Sequence, residues 1–265
     1  MLGIGIATYN RRECLTRLVA SLAEHTRSRH RLVVADDGSS DGSIEWCRAN
    51  DLTVIAGRHD GVARNKNRAL FALSALGCDP LVLLEDDVVP ARPGWEQEWI
   101  AGTGLWHHLG YRHPKIARHD LSGSGTATDP IVNRGWTAQC LSVSASVLEQ
   151  VGYLDPRFKG WGHEHGEWTE RIQRAGWGYR EAQLSDGRVV RAQLYLWGGI
   201  ALEDAPSYRD PDQVAANLRL AERIAGEPIF RAPWASPAER TEFLAEQAAA
   251  GVDAGELVRR VDARC

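Results

Sequence analysis

Along the first 90 residues, short apolar runs alternate with stretches whose apolar positions recur every three or four residues. Leu2 to Thr8 is a run of strand length, and Arg11 to Thr26 then puts Leu15, Leu18, Val19, Leu22 and Ala23 on one helical face. Arg31 to Ala35 and Leu52 to Ala56 read as further strands, separated by a short helix that Ser40 or Asp41 caps and that runs to about Ala49. A longer helix opens at Gly61, buries Leu70, Leu73 and Leu76, and stops at Gly77. Leu81 to Pro90, LVLLEDDVVP, is predicted as one buried strand with Glu85, Asp86 and Asp87 at its carboxyl end and Pro90 ending it. This β-α alternation predicts an α/β fold, with a mostly parallel central sheet flanked by helices.

Beyond Pro90 the rhythm weakens. Ala91 to about Thr137 predicts loops and short elements lying over the strand ends. Ala138 to Val143 reads as a strand and Ser146 to Val151 as a short helix. Trp168, Ile172 and Ala175 share a helical face, which predicts a helix from Glu164 to Ala175 stopped by Gly176. A strand over Val189 to Trp197 precedes a linker over Pro206 to Pro211. Helices follow over Asp212 to Ala225, Ser236 to Ala250 and Gly255 to Ala263, the second with Ser236 as N-cap and Pro237 at its first position. These last helices are expected to close the core or to form a homodimer contact.

Composition narrows the function classes. The net charge of −4 over 265 residues argues against general nucleic-acid binding. Five widely spaced cysteines without a CxxC suit neither a disulfide framework nor a zinc site, and fit a reducing, cytoplasmic setting. No apolar run reaches the length of a transmembrane segment and no signal peptide precedes the first strand. Several of the ten tryptophans stand among polar residues, where they could stack against sugar rings or bases.

The chemistry gathers at strand ends. Thr8-Tyr9-Asn10, Asp36-Asp37 and Glu85-Asp86-Asp87 all follow strands, and in a parallel sheet such ends converge on one edge, where open α/β sheets place ligands. Three adjacent carboxylates losing hydration call for positive charge, and a divalent cation with oxygen ligands supplies it. Glu167 and Arg171 stand four residues apart and read as a plain surface ion pair. His107, His108, His113 and His119 read as solvated loop residues.

In order and spacing, ATYNR (7–11), ADDGSSDG (35–42), GVARNKNRAL (61–70) and LLEDDVVP (83–90) resemble the GT-A fold nucleotide-sugar glycosyltransferases, above all family 2. VGYLDPRFKGWGHEHGEWTERI (151–172) resembles the acceptor-side segment of that fold, which reads GWGGED in β-1,4-galactosyltransferases. The resemblance spans roughly 2–90 and 138–178 and implies a hexosyl- or N-acetylhexosaminyl-transferase. A nucleotide-sugar-binding half would occupy 1–100, an acceptor-binding half 101–205 and a helical extension 206–265.

The resemblance also assigns roles. Thr8, Tyr9, Asn10, Asp36 and Asp37 would hold base and ribose, with Arg64 and Asn67 facing the same pocket, and Glu85 or Asp86 would reach the ribose. Asp87, in the DxD position, would bind Mn²⁺ or Mg²⁺ against the diphosphate of a UDP-sugar. Trp161, Gly162 and His163 would meet an acceptor of unidentified kind. An inverting transfer needs a general base, and here the second position of the usual acidic pair is His165, so His165 and Glu164 both stand as candidates.

Two other readings share this architecture. A sugar-phosphate nucleotidylyltransferase needs a glycine-rich basic loop after the first strand, which ATYNRREC lacks. A GT-A binding module that has lost catalysis is suggested by His165 and opposed by the intact acidic triplet.

Overall fold

The computed structural model describes residues 1–203 and 210–264. The elements run β1 (Leu2–Thr8), α1 (Arg12–His25), β2 (His30–Asp36), α2 (Ser43–Ala49), β3 (Thr53–Ala56), α3 (Val62–Ala75), β4 (Leu81–Glu85), β5 (Val88–Pro90), α4 (Glu96–Trp106) and β6 (His108–Tyr111). A 3-10 turn over Pro114–His119 leads to β7 (Asp120–Ser122), β8 (Ile131–Asn133), β9 (Cys140–Val143), α5 (Ala145–Val151), α6 (Glu164–Arg174), β10 (Tyr179–Gln183), β11 (Val189–Leu196) and β12 (Ile200–Leu202). Helices α7 (Pro211–Ile224), α8 (Pro237–Ala249) and α9 (Gly255–Asp262) complete the chain. The linker expected over Pro206 to Pro211 lies mostly outside the described residues, and Pro211 itself opens α7.

The main sheet has the order β3-β2-β1-β4-β9-β6-β11-β8-β7, with β10 also paired to β11. The first four are parallel, and β9 enters antiparallel beside β4. Alternation along each strand feeds two cores. Ile4, Ile6, Val34, Val82 and Leu84 pack with α1 and α4 on one face, whereas Val33, Ala35, Leu81 and Leu83 pack with α3, α6 and α8 on the other. Gly3 and Gly5 point toward α3. A Cβ on Gly5 would lie 2.9 Å from Cβ of Ala69, so the bare strand lets the helix approach.

Four sequence expectations change. Leu81 to Pro90 is not one strand. It breaks at Asp86-Asp87, and β5 leaves the sheet to form a separate ribbon with β12. Residues 91–137 contain a full helix, α4, whose Trp95 and Trp99 are buried. Gly102 and Gly104 weaken its helical signature. Helix α3 is covered on all sides from Ala63 to Leu73, while Leu76 is 39% exposed. Finally, Arg171 and Glu167 are a buried pair and not a surface one.

The C-terminal helices close the core. Phe243 of α8 packs edge-on against Phe71, and Glu246 accepts from Arg68 Nε at 2.9 Å and from Arg64 at 3.1 Å. Ser236 caps α8 as expected. Among the described residues, no helix is long and apolar enough to cross a membrane.

His108 is the opposite of a solvated loop residue. Its ring is fully buried, with Nδ1 2.8 Å from the Ser142 carbonyl and Nε2 3.1 Å from Thr169 Oγ1. A carbonyl can only accept, so Nδ1 carries the proton and Nε2 accepts from the threonine. Burial pushes the pKa down to about 4. The unfolded chain, with a His pKa of about 6.5, binds the extra proton between those values, so this contribution is present above about pH 6.5 and lost as pH falls toward 4. Unfolding free energy is expected to drop by about 2 kcal/mol between pH 7 and pH 5 through this residue. Urea denaturation of wild type and His108→Gln at both pH values checks it. An equal pH slope in the two proteins refutes the assignment.

Candidate active site

The expected convergence of strand ends is present. Thr8 stands opposite Asp36 and Ala7 opposite Glu85, so β1, β2 and β4 finish level at one edge. A cleft of about 1050 Å³ opens there. Its walls include Thr8, Tyr9, Asn10, Asp37, all three acids of 85–87, and Trp161. Gly61 carries φ of +101°, and a Cβ on it would sit 2.3 Å from the Gly160 nitrogen. That close backbone pairing, with Val62 N–H donating to the Gly160 carbonyl, brings Trp161 to the wall.

The three acids differ in what holds them. Glu85 accepts from Lys66 Nζ at 2.7 Å, and this fully buried ammonium also reaches the Ala138 carbonyl. Asp86 is buried and receives Thr8 Oγ1 at 2.7 Å and Arg11 at 2.9 Å. Burial raises its pKa, opposed by both partners. Asp87 is nearest Arg11, at 3.7 Å, and its Oδ1 is buried with no hydrogen-bond partner among the described residues. Burial, then the charges of Glu85 and Asp86, push its carboxyl up to about 6. A buried, unsatisfied carboxylate oxygen crowded by like charge fits a cation. Among the described residues, no three His, Cys, Asp or Glu side chains gather to hold a metal unaided. That arrangement suits Mg²⁺ or Mn²⁺ completing its shell with phosphate and water oxygens. The backbone is pinned as well, since Glu203, just after β12, donates its N–H to the Asp87 carbonyl.

On the β2 side the two aspartates part ways. Asp36, expected at the nucleotide, folds back and accepts from Gly38 and Ser39 N–H, so it shapes its own turn and does not line the cleft. Asp37 lines the cleft and takes Arg68 and Asp60 N–H on Oδ1 and Gly61 N–H on Oδ2, with His59 Nδ1 2.8 Å from Oδ2. Asn10 crosses from the β1 turn to accept from Ser40 N–H.

Arg64 and Asn67 do not face the cleft. Arg64 turns to Asp60 and α8, and Asn67 clamps the Leu154 backbone through both ends of its amide. The residues of α3 that matter there are Val62 and Asn65, which lines the cleft while donating to the Thr8 and Ala35 carbonyls. They sit in the same ten-residue motif, but a helix buried on all sides gives no apolar stripe to fix its phase. Sequence reading also missed Arg11, His59, His113 and Lys115. His113 had been grouped with solvated histidines, yet it is buried and its Nδ1 accepts from Lys115 N–H.

The start of α6 lies outside the cleft lining. Gly162 N–H donates to Glu164 Oε2 at 2.7 Å, and His163, with φ of +70°, precedes the helix. Glu164 Oε1 lies 3.4 Å from His165 Nδ1. Burial works to raise the Glu164 pKa, but the hydrogen bond and charge of His165, with Lys66 beyond, hold it below the usual value. His165 Nε2 is buried with no hydrogen-bond partner among the described residues.

Residues 4–97 match the family model described as Glycosyl transferase family 2. No curated protein matches the chain. Among solved structures, GalNAc-T7 with UDP, GalNAc and Mn²⁺ is similar over 84% of this chain, at 14% identity and a TM-score of 0.56. The chain spans 48% of that protein's length. The mannosyltransferase PcManGT from Pyrobaculum calidifontis, in complex with GDP-Man and Mn²⁺, is similar over 99% of this chain and 73% of its own, at 14% identity and a TM-score of 0.54. S. aureus TarS 1-349 in complex with UDP is similar over 92% and 70%, at 14% identity and a TM-score of 0.51. The fold is therefore the GT-A fold, and residues 4–97 resemble the family-2 glycosyltransferases.

Proposed function

We propose that this protein moves a sugar from a nucleoside-diphosphate sugar, with UDP the favoured nucleotide, to a hydroxyl or other nucleophile, with inversion. The observation that carries the proposal is Asp87, a carboxylate with a buried unpartnered oxygen in the cleft at the end of β4. Asp87 would hold Mn²⁺ or Mg²⁺, which as a Lewis acid stabilises charge on the leaving diphosphate. Tyr9 and Asp37 line the base end, and Thr8 acts through Asp86, which it anchors together with Arg11. Lys66 sets the Glu85 carboxylate on the cleft wall, and Trp161 offers an apolar face to an acceptor.

The base is assigned to the Glu164–His165 pair. With Nδ1 directed at the Glu164 carboxylate, His165 would keep its lone pair on Nε2, which is buried outside the cleft lining and would take the acceptor proton only once the wall at Trp161 opens. Glu164 is in turn fixed by Gly162 N–H and kept ionised. The similar solved structures also support a nucleotide: UDP accompanies GalNAc-T7 and TarS, and GDP-Man accompanies PcManGT.

Calorimetric titration with UDP, GDP, dTDP and ADP, each with Mn²⁺ and with EDTA, tests the reading. One nucleotide is expected to bind in the low micromolar range with metal and at least about tenfold more weakly without it. Absence of metal-dependent binding by all four would refute it and favour a binding module without catalysis.

A further inference from the structure

At the base end of the cleft, the rings of Tyr9 and His59 lie 3.9 Å apart between centroids and 14° from parallel. His59 also places Nδ1 2.8 Å from Asp37 Oδ2. Its side chain is otherwise 55% exposed, whereas that of Asp37 is only 4% exposed. A planar ring that stacks on an aromatic face and brings a ring nitrogen within 2.8 Å of a carboxylate takes the place a nucleobase would take in such a pocket. The carboxylate itself does not depend on the imidazole, because Arg68, Asp60 N–H and Gly61 N–H hold it independently.

We infer that His59 is an internal stand-in for the nucleobase: its ring occupies the base position and swings out when nucleotide binds. The inference rests on the nucleotide-site reading above. Both contacts of His59 are taken over by the incoming base, the stack on Tyr9 and the approach of a ring nitrogen to Asp37. An ionised carboxylate only accepts hydrogen bonds. The position it guards therefore takes bases that carry a ring N–H, uracil, thymine or guanine, in preference to adenine or cytosine, which lack one there. The imidazole lowers apparent affinity by the fraction of time it fills the position.

The test is titration of wild type, His59→Ala and Tyr9→Ala with UDP and CDP in Mn²⁺, together with NMR of the His59 ring. His59→Ala is expected to bind UDP about tenfold more tightly, the order set by no longer displacing a ring stack and a close ring-nitrogen–carboxylate contact. Tyr9→Ala is expected to bind it more weakly, and CDP is expected to gain less than UDP from His59→Ala. In wild type, the His59 ring protons should lose the upfield shift imposed by Tyr9 when UDP is added. Weaker or unchanged UDP binding by His59→Ala, or an unmoved His59 ring in the UDP complex, overturns the inference while leaving the nucleotide site standing. Failure of every nucleotide to bind either protein overturns both.

Discussion

Asp87→Ala is expected to lower sugar transfer by about two to three orders of magnitude, the scale on which removal of one aimed electrostatic group acts. It is also expected to make residual nucleotide binding indifferent to EDTA. The reason is local. Glu85 is neutralised by Lys66 and Asp86 is held by Thr8 and Arg11, so neither carboxylate is poised as Asp87 is, with an oxygen buried and unsatisfied. The same variant is expected to be no less stable than wild type. With its pKa pushed up to about 6, the ionised Asp87 carboxylate is held against its preference, so deleting it relieves crowding with Glu85 and Asp86. Loss of function without loss of stability separates a metal ligand from a structural carboxylate. Mn²⁺ electron paramagnetic resonance in the presence of UDP reads metal capture directly, and chemical denaturation reads stability. A variant that still binds Mn²⁺ and UDP together as wild type does would refute the role of Asp87.

Arg171→Met is expected to cost about 3–5 kcal/mol of stability, the range for stripping one partner from a buried charge pair. Arg171 is 1% exposed and donates to Glu167, to the carbonyls of Val151 and Tyr153, and to that of Ile229. One guanidinium thus joins α6 to the end of α5 and to the stretch before α8. Methionine keeps the apolar stem but leaves the Glu167 carboxylate and the Tyr153 and Ile229 carbonyls without this donor, the Val151 carbonyl keeping Arg231 N–H, and buried acceptors cost most when left unmade. The urea midpoint checks the figure. A loss below about 1 kcal/mol would mean that the cluster is solvated in solution.

Arg171 also shows where sequence reading stops. The i,i+4 spacing with Glu167 is visible in the sequence, but burial is decided by what lies across from it, here Ile229 and Tyr153. Strands β1 to β4 and their helices were legible because alternation and helical periodicity are local signals. Those signals also sufficed to bring Thr8, Asp37 and the three acids to one edge, since parallel strands end on the same side. Helical phase was not legible on α3, where residues 63–73 are all buried, and so Arg64 and Asn67 stood in for Asn65. Nor was the break at Asp86-Asp87, because β5 is drawn out of the sheet by β12, more than a hundred residues later. His113 reached the cleft wall through tertiary packing, which no local pattern encodes.

The grip of α8 on α3 has a consequence for how this fold can be divided. The match to the family-2 model stops at residue 97, yet Arg64 and Arg68, inside that stretch, share Glu246 of α8 beside their partners nearer in sequence, Asp60 and Asp37. An excised fragment ending near residue 97 would keep Asp60 and Asp37 but lose Glu246 from both guanidinium groups and uncover the face of Phe71 that Phe243 covers. The stretch that matches the family model is thus smaller than the unit that packs as a whole, and a graft of residues 4–97 into another scaffold would have to bring Glu246 along.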